Sequence, residues 1–182
     1  MVVATLSLQL PPNHLERNRK RWSEVLGDAI LQGYPGKVET NRHGHIVLMA
    51  PASGNHSVLQ GELVFQLRLN LERGVALPEC PISTMNGVRA ADVGWYSKDR
   101  FLKVEGQIAF EIAPEICVEI LSPSNSKEEM REKFDLYFEA GAKECWLCSM
   151  EGELSFFSVG DPKKERSSSQ RCPTFPRCLN IR

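Results

Sequence analysis

The stretch Ile116-Cys117-Val118-Glu119-Ile120-Leu121 is a nearly continuous apolar run with one charge in it. Short apolar runs without alternation are typical of a central strand that is covered on both faces of a sheet. A carboxylate in such a strand costs stability unless it is paired with a cation or binds one. The run therefore predicts a buried strand, and it makes Glu119 the most informative residue of the chain.

The segments on either side of this strand indicate the fold class. On the C-terminal side, a capping box at Ser126-Lys127-Glu128-Glu129 begins a helix whose apolar stripe is Met130, Phe134 and Tyr137. Strands are expected at 145–148 and 154–159 after it, and at 75–77, 82–85 and 92–96 before the central strand. We therefore predict an α/β fold, a mixed β-sheet flanked by helices on both faces.

The remaining segments complete a single globular domain, 37–182, preceded by an N-terminal helical extension, 1–36. The extension contains a helix over 15–36, and a hairpin is expected over 39–50. A capping box at Ser57 predicts a helix that runs to Gly74, with leucines at helical spacing. The polar stretch 161–170 is typical of a flexible loop, and 174–181 of an edge strand.

The composition is that of an ordinary globular protein. The chain has 182 residues, of which 42% are hydrophobic and 25% charged, and its net charge is −1. We expect a cytoplasmic protein, because no stretch suits a membrane span or a signal peptide. The near-neutral charge gives no overall attraction to nucleic acid, so DNA contacts would need a local patch. The basic run Arg17, Arg19, Lys20 and Arg21 is interpreted as a solvated helix face.

Three residues form a candidate catalytic set. Asp92 begins a strand, Glu119 lies in the central strand, and Lys133 flanks the apolar stripe of the following helix. Two carboxylates at neighbouring strand ends, about 4 to 6 Å apart, can share one hydrated Mg²⁺ ion. Taken singly, Asp92 has the commoner interpretation of a turn residue and Lys133 that of a surface lysine.

The combined spacing resembles a known family. The string Glu119-Ile120-Leu121-Ser122-Pro123-Ser124-Asn125, followed by Glu129, Lys133, Tyr137, Gly141 and Glu144-Cys145-Trp146-Leu147, is similar to the Uma-type restriction endonuclease family of the PD-(D/E)XK nuclease superfamily. Val38-Glu39, Met49-Ala50-Pro51 with His56, Ala91-Asp92-Val93 and Phe175-Pro176 agree with it.

The resemblance implies an αβββαβ core and Mg²⁺-dependent (or Mn²⁺-dependent) hydrolysis of DNA. It implies that Asp92 and Glu119 bind the metal, with the Ile120 carbonyl as a further ligand, and that Lys133 is the catalytic lysine. Glu39 and His56 become accessory candidates. The chain departs from the superfamily at Leu121, where the Glu-x-Lys pattern has its lysine, and more mildly at Ala91 and Glu129.

Several alternatives stay open. Cys145-x-x-Cys148 with Cys172 and Cys178 is a weak candidate for a zinc site, and a thioredoxin-like role is weaker still. The serious alternative is a catalytically inactive nuclease-like module that binds or supports a partner. A nuclease that cuts both strands is expected to be a homodimer. We also expect Lys133→Ala to abolish cleavage at little cost in stability, as suits a lysine near the surface.

Overall fold

The computed structural model describes residues 14–122 and 125–179. Helices and strands alternate over this range in the order α1, α2, β1, β2, α3, β3, β4, α4, β5, α5, β6, β7, β8. The bounds are α1 His14–Gly27, α2 Ala29–Gln32, β1 Val38–Thr40, β2 Ile46–Leu48, α3 Gly54–Asn70, β3 Gly74–Thr84, β4 Gly87–Ser97, α4 Lys98–Phe101, β5 Ile116–Ile120, α5 Lys127–Glu139, β6 Glu144–Cys148, β7 Leu154–Ser158 and β8 Asp161–Arg166.

Six strands form one mixed sheet in the order β3-β4-β5-β6-β7-β8, and β1 and β2 form a separate antiparallel hairpin. Within the sheet, β5 and β6 are parallel and the other neighbours are antiparallel. A parallel pair needs a crossover, which α5 provides. The succession α3, β3, β4, β5, α5, β6 is the predicted αβββαβ core, so the predicted fold is confirmed.

Two hydrophobic clusters cover the two faces of the sheet. On one face, Leu59, Leu63 and Leu67 of α3 pack with the β5 residues Ile116, Val118 and Ile120. On the other face, Phe134 and Tyr137 of α5 pack near Cys117. All five residues of β5 are buried, as its continuous apolar run predicts. Glu119 shares the α5 face with Cys117, because side chains alternate along a strand.

The structure corrects six details of the sequence interpretation. The helix predicted over 15–36 is divided into α1 and α2, because Asp28 caps α2, and Asp92, predicted to begin a strand, lies in the middle of β4. The helix predicted from Ser57 is capped by Ser53, whose hydroxyl accepts the His56 N–H, and the separate strands predicted at 75–77 and 82–85 are one strand, β3. The predicted loop 161–170 begins with the strand β8, which pairs with β7. In place of the predicted edge strand, residues 174–179 contribute one bridge, from Glu153 to Cys178; residues 180 and 181 lie outside the described ranges.

Helix α1 is fixed against the hairpin and the end of the sheet. Trp22 and Val25 are buried against Val88 and Ala109. The Asn18 amide donates to the Ser83 hydroxyl at 2.9 Å and to the Thr84 carbonyl at 2.8 Å. These contacts set which face of α1 points outward. Among the described helices, none is long and apolar enough to cross a bilayer.

Candidate active site

Asp92 and Glu119 lie opposite each other on adjacent strands. The β4–β5 ladder pairs Val93 with Val118, and its register continued by one residue brings Asp92 opposite Glu119. The Ile120 N–H donates to Asp92 Oδ2 at 2.7 Å, which joins the two strands beyond the ladder. Residues directly opposed across antiparallel strands have Cβ atoms about 4.5–5.5 Å apart. Each of the two residues is 3% exposed, so both carboxylates are buried together.

Glu119 is held by two side chains from α5. Lys133 Nζ donates to Glu119 Oε2 at 3.1 Å, and the Tyr137 hydroxyl donates to Oε1 at 2.6 Å. Lys133 and Tyr137 are four residues apart, so they lie on one face of the helix. Burial, together with repulsion from Asp92, raises the pKa of Glu119 to about 7, although the Lys133 charge opposes the rise.

Lys133 is a buried bridge between two carboxylates. It is 7% exposed, and its Nζ lies 3.1 Å from Glu119 Oε2 and 3.3 Å from Glu39 Oε1. Burial alone would lower the pKa of Lys133, but attraction by Glu119 and Glu39 outweighs it and raises the pKa. The expected position of Lys133 near the surface is therefore wrong. What its removal costs in stability stays a prediction, which the burial of Lys133 revises upward. Its ammonium points inward from α5 into the gap between the hairpin and β5.

Glu39 joins the hairpin to the site. It is 1% exposed; its Oε1 accepts the Ala90 N–H at 3.0 Å and its Oε2 accepts from Arg89 at 2.9 Å. Burial would raise the pKa of Glu39, but Lys133, the Ala90 N–H and Arg89 together hold it below its usual value. Glu39 is therefore an ionised carboxylate that fixes the position of Lys133.

Asp92 is contacted by two basic side chains, Lys37 and His56. Lys37 forms an ion pair with its Oδ1, and His56 Nε2 lies 3.3 Å from Oδ2. Burial would raise the pKa of Asp92, but the hydrogen bond from His56 and the Lys37 charge hold it well below its usual range. The bond to Asp92 in turn raises the pKa of His56. In the described part of the chain, His56 Nδ1 has no hydrogen-bond partner although it is buried.

The structure thus brings together all five residues named from the sequence: Asp92, Glu119, Lys133, Glu39 and His56. It also adds residues that the sequence interpretation missed. Lys37 contacts Asp92 and lies 3.3 Å from Glu79 Oε2. Tyr137, which the sequence placed in the core stripe and in the family string without a role at the site, donates to Glu119. A signal for Lys37 existed: it precedes Glu39 by two residues, so the period of a strand places both on one side.

Comparison with known proteins identifies the family to which the chain belongs. The family model Uma2, whose description is "Putative restriction endonuclease", matches residues 29–173. The chain belongs to the Uma2 family. Among solved structures, the Uma2 chain resembles the crystal structure of a "putative nuclease belonging to DUF820" from Anabaena variabilis, with a TM-score of 0.62 and 19% identity over 80% of this chain and 88% of that one. At that identity the likeness shows the fold. No curated protein matches the chain.

In this Uma2 chain the strand lacks the lysine of the Glu-x-Lys pattern that the sequence analysis considered. Leu121 occupies that position, and the Lys133 ammonium reaches Glu119 from α5 instead. A helix lysine can serve the same carboxylate because α5 packs directly on the face of β5 that carries Glu119. The departure at Leu121 therefore leaves a cation at the site.

The cysteine alternative fails on geometry. Cys145 lies in the cluster beneath α5 and Cys148 in the cluster beneath α3, on opposite faces of the sheet. Within residues 14–122 and 125–179, no three His, Cys, Asp or Glu side chains converge to hold a metal ion. This Uma2 chain therefore has no zinc centre of the kind considered from the sequence in that part of the structure.

Proposed function

We propose that the protein is an endonuclease that uses Mg²⁺ or Mn²⁺ to hydrolyse phosphodiester bonds of DNA. The observation that carries the proposal is the opposition of Asp92 and Glu119 on neighbouring strands, with the Lys133 ammonium on Glu119. Two carboxylates can hold a divalent ion, and a lysine beside them can neutralise charge that develops on a phosphate during hydrolysis. Family membership supports the reaction class.

The donor set fits a hydrated divalent cation of this kind. Both carboxylates supply the oxygen ligands that Mg²⁺ prefers, and their mutual repulsion contributes to the raised pKa of Glu119, which a cation between them would relieve. An ion held by two carboxylates would keep several waters, as Mg²⁺ in proteins usually does. Asp92, Glu119 and, from the resemblance, the Ile120 carbonyl would hold it.

The chain's own residues have distinct tasks in this proposal. When bound, the divalent ion would polarise the phosphate and lower the pKa of a bound water. Lys133 places a positive charge beside Glu119, where it can neutralise charge that develops on the phosphate. Tyr137 fixes the orientation of Glu119, and His56 fixes that of Asp92. Glu39 holds Lys133 in place from the hairpin.

The test is cleavage of supercoiled plasmid by purified protein with Mg²⁺ or Mn²⁺, beside an EDTA control. We expect nicked and linear products that disappear with EDTA and in Asp92→Asn. Arg131→Met is the matched control, because Arg131 is exposed on the same helix as Lys133 and should leave cleavage unchanged. Cleavage that survives EDTA, or that Asp92→Asn leaves intact, would overturn the proposal.

A second candidate function, an inactive nuclease-like module, is favoured by one specific contact. The Lys37 ammonium is paired with Asp92, so a cation of the chain already neutralises a proposed metal ligand. Calorimetric titration with Mn²⁺ separates the two functions. The endonuclease should bind Mn²⁺ in the wild type and lose binding in Asp92→Asn. The module should bind Mn²⁺ only when Lys37→Met removes the competing charge.

We also propose that the protein acts as a homodimer, since cutting both strands of a duplex is commonly done by two symmetric sites. The outer face of α3 exposes Val58, Phe65 and Leu69, an apolar stripe at helical spacing. Two copies of α3 packed antiparallel about Phe65 would bring Arg68 beside Glu62 of the partner subunit. This complementary pair of charges favours a second copy of the chain on the stripe.

A further inference from the structure

A shallow, open depression with basic walls, called the cavity below, lies on the outer face of α1, apart from the site already described. Its volume is about 360 Å³, and it is lined by Arg17, Lys20, Arg21, Glu24, His43 and Gly44. Three cationic side chains thus face one carboxylate, in a chain whose net charge is −1. The spacing of 17, 20, 21 and 24 places these α1 residues on one helix face. The cavity is a local concentration of positive charge, which the overall composition conceals.

The walls of the cavity are fixed by backbone contacts. Arg21 Nε donates to the Gly44 carbonyl at 2.7 Å, and its NH1 donates to Glu24 Oε2 at 2.7 Å. The Asn41 side chain accepts the N–H groups of His43 and His45, which secures the hairpin turn. Arg21 and the hairpin turn are therefore held in place before any ligand arrives, which lowers the entropic cost of binding one.

Arg17 supplies the observation that points to a ligand. Its NH2 group is buried and finds no hydrogen-bond partner within residues 14–122 and 125–179. Leaving a buried guanidinium donor unpaired is costly, and such groups usually have a partner. An anion in the cavity would supply acceptor oxygens to Arg17 and a counter-charge to Lys20. A phosphate fits best, because guanidinium groups match its oxygens in a forked, two-bond geometry.

We propose that this cavity binds a phosphate group, which in the endonuclease proposed above belongs to the DNA backbone away from the scissile bond. The hairpin connects the two places: Lys37 lies at the active site and His43 lines the cavity, six residues further along. Six residues span at most about 20 Å. Backbone phosphates rise by about 3.4 Å per nucleotide along the duplex axis, so the cavity would meet a phosphate within about six nucleotides of the cut.

The first test uses inorganic phosphate and needs no activity. ¹H–¹⁵N spectra, with the arginine Nε–H signals, are followed while phosphate is added in EDTA, with sodium chloride of equal ionic strength as the reference. We expect shifts at Gly44, Arg21 and Arg17 that Arg17→Gln abolishes and Arg19→Gln retains. Arg19 is the matched control, since it is exposed on α1 and does not line the cavity. Shifts no larger than those in chloride would overturn the proposal.

The second test decides where the phosphate comes from. Binding of a labelled DNA duplex is followed by fluorescence anisotropy in EDTA, at salt concentrations from about 50 to 300 mM. At each salt concentration the protein is titrated in about tenfold steps around the midpoint of binding. Arg17→Gln should remove one contact to a backbone phosphate. The slope of log K against log salt concentration should then decrease in magnitude by about 0.9, and binding should weaken about tenfold at about 0.1 M salt. Arg19→Gln should change both quantities little. An unchanged slope, with phosphate shifts intact, assigns the cavity to a free phosphate or a small phosphorylated ligand.

These tests are independent of cleavage. They are run without divalent metal, and neither Arg17 nor Arg19 contacts Asp92 or Glu119 in the interactions described above. A protein that binds phosphate here and cuts no plasmid would keep this inference and overturn the endonuclease. A protein that cuts plasmid but shows no phosphate-dependent shifts at the cavity would support the endonuclease and overturn this inference.

Discussion

Replacing Lys133 with methionine should destabilise the metal-free protein strongly at pH 8. Methionine has a similar length and fits the packed helix face, so the main change is the loss of the ammonium. Lys133 bridges Glu119 at 3.1 Å and Glu39 at 3.3 Å, and both glutamates are almost fully buried. Without the lysine, Glu119 keeps the Tyr137 hydroxyl and Glu39 keeps Arg89 and the Ala90 N–H.

The magnitude follows from the burial of the two carboxylates. Removing one partner of a buried ion pair costs about 3–5 kcal/mol, because the other charge stays behind without compensation. At pH 5 the loss should be smaller, since Glu119, with a pKa of about 7, is already protonated and Lys133 then faces Glu39 as its charged partner. We therefore expect about 3–5 kcal/mol at pH 8 and roughly half of that at pH 5.

Urea unfolding in EDTA, followed by circular dichroism at both pH values, measures the two free energies of unfolding. Arg131→Met is the control and should change stability by less than about 0.5 kcal/mol, because Arg131 is exposed. A loss in Lys133→Met no larger than that of the control at pH 8 would refute the reasoning. So would an equal loss at pH 5 and pH 8, since the argument depends on the charge of Glu119.

Three further outcomes are expected. The folded-state pKa of Glu119 lies above that of the unfolded chain, so its contribution to stability is fully present below about pH 4.5. As the pH rises through about 7, the free energy of unfolding should fall by up to about 3 kcal/mol. Glu119→Gln should flatten this fall, as measured by urea unfolding in EDTA. Tyr137→Phe should cost about 1.5–3 kcal/mol at pH 8, because it removes a 2.6 Å bond to a carboxylate; a loss under 0.5 kcal/mol would count against that bond. Phe65→Asp should convert the proposed homodimer into a monomer, as measured by light scattering. A wild-type protein that is monomeric at high concentration would contradict the proposed homodimer.

The fold was predictable wherever one local pattern decided the structure. The apolar run at 116–121 predicted β5, and the cap at Ser126 with its stripe predicted α5, because burial and capping are read directly from neighbouring residues. The strand β8 was missed because Asp161–Arg166 is polar and exposed. Such a strand is specified by its pairing with β7 at the sheet edge, which leaves no apolar alternation in the sequence.

The candidate site divides in the same way. Asp92, Glu119 and Lys133 lie on or beside the elements of the core, and a charge in an apolar setting marks them in the sequence. The burial of Lys133 was not predictable from α5 alone. It depends on Glu39, which the hairpin inserts beside α5 from 94 residues earlier in the chain. Helical periodicity reports which face a residue occupies, and it contains no information about what the hairpin places over that face.

Lys37 shows most clearly what this coupling between segments means for function. It precedes β1, outside the αβββαβ core, yet its ammonium pairs with Asp92 while Glu79 of β3 lies 3.3 Å away. Attraction by Asp92, Glu119 and Glu79 outweighs burial and raises the pKa of Lys37, so it stays charged at neutral pH. Any divalent ion at Asp92 must therefore meet this charge. The hairpin, which carries Glu39 beside Lys133 and Lys37 beside Asp92, thus sets the electrostatic balance of both halves of the site.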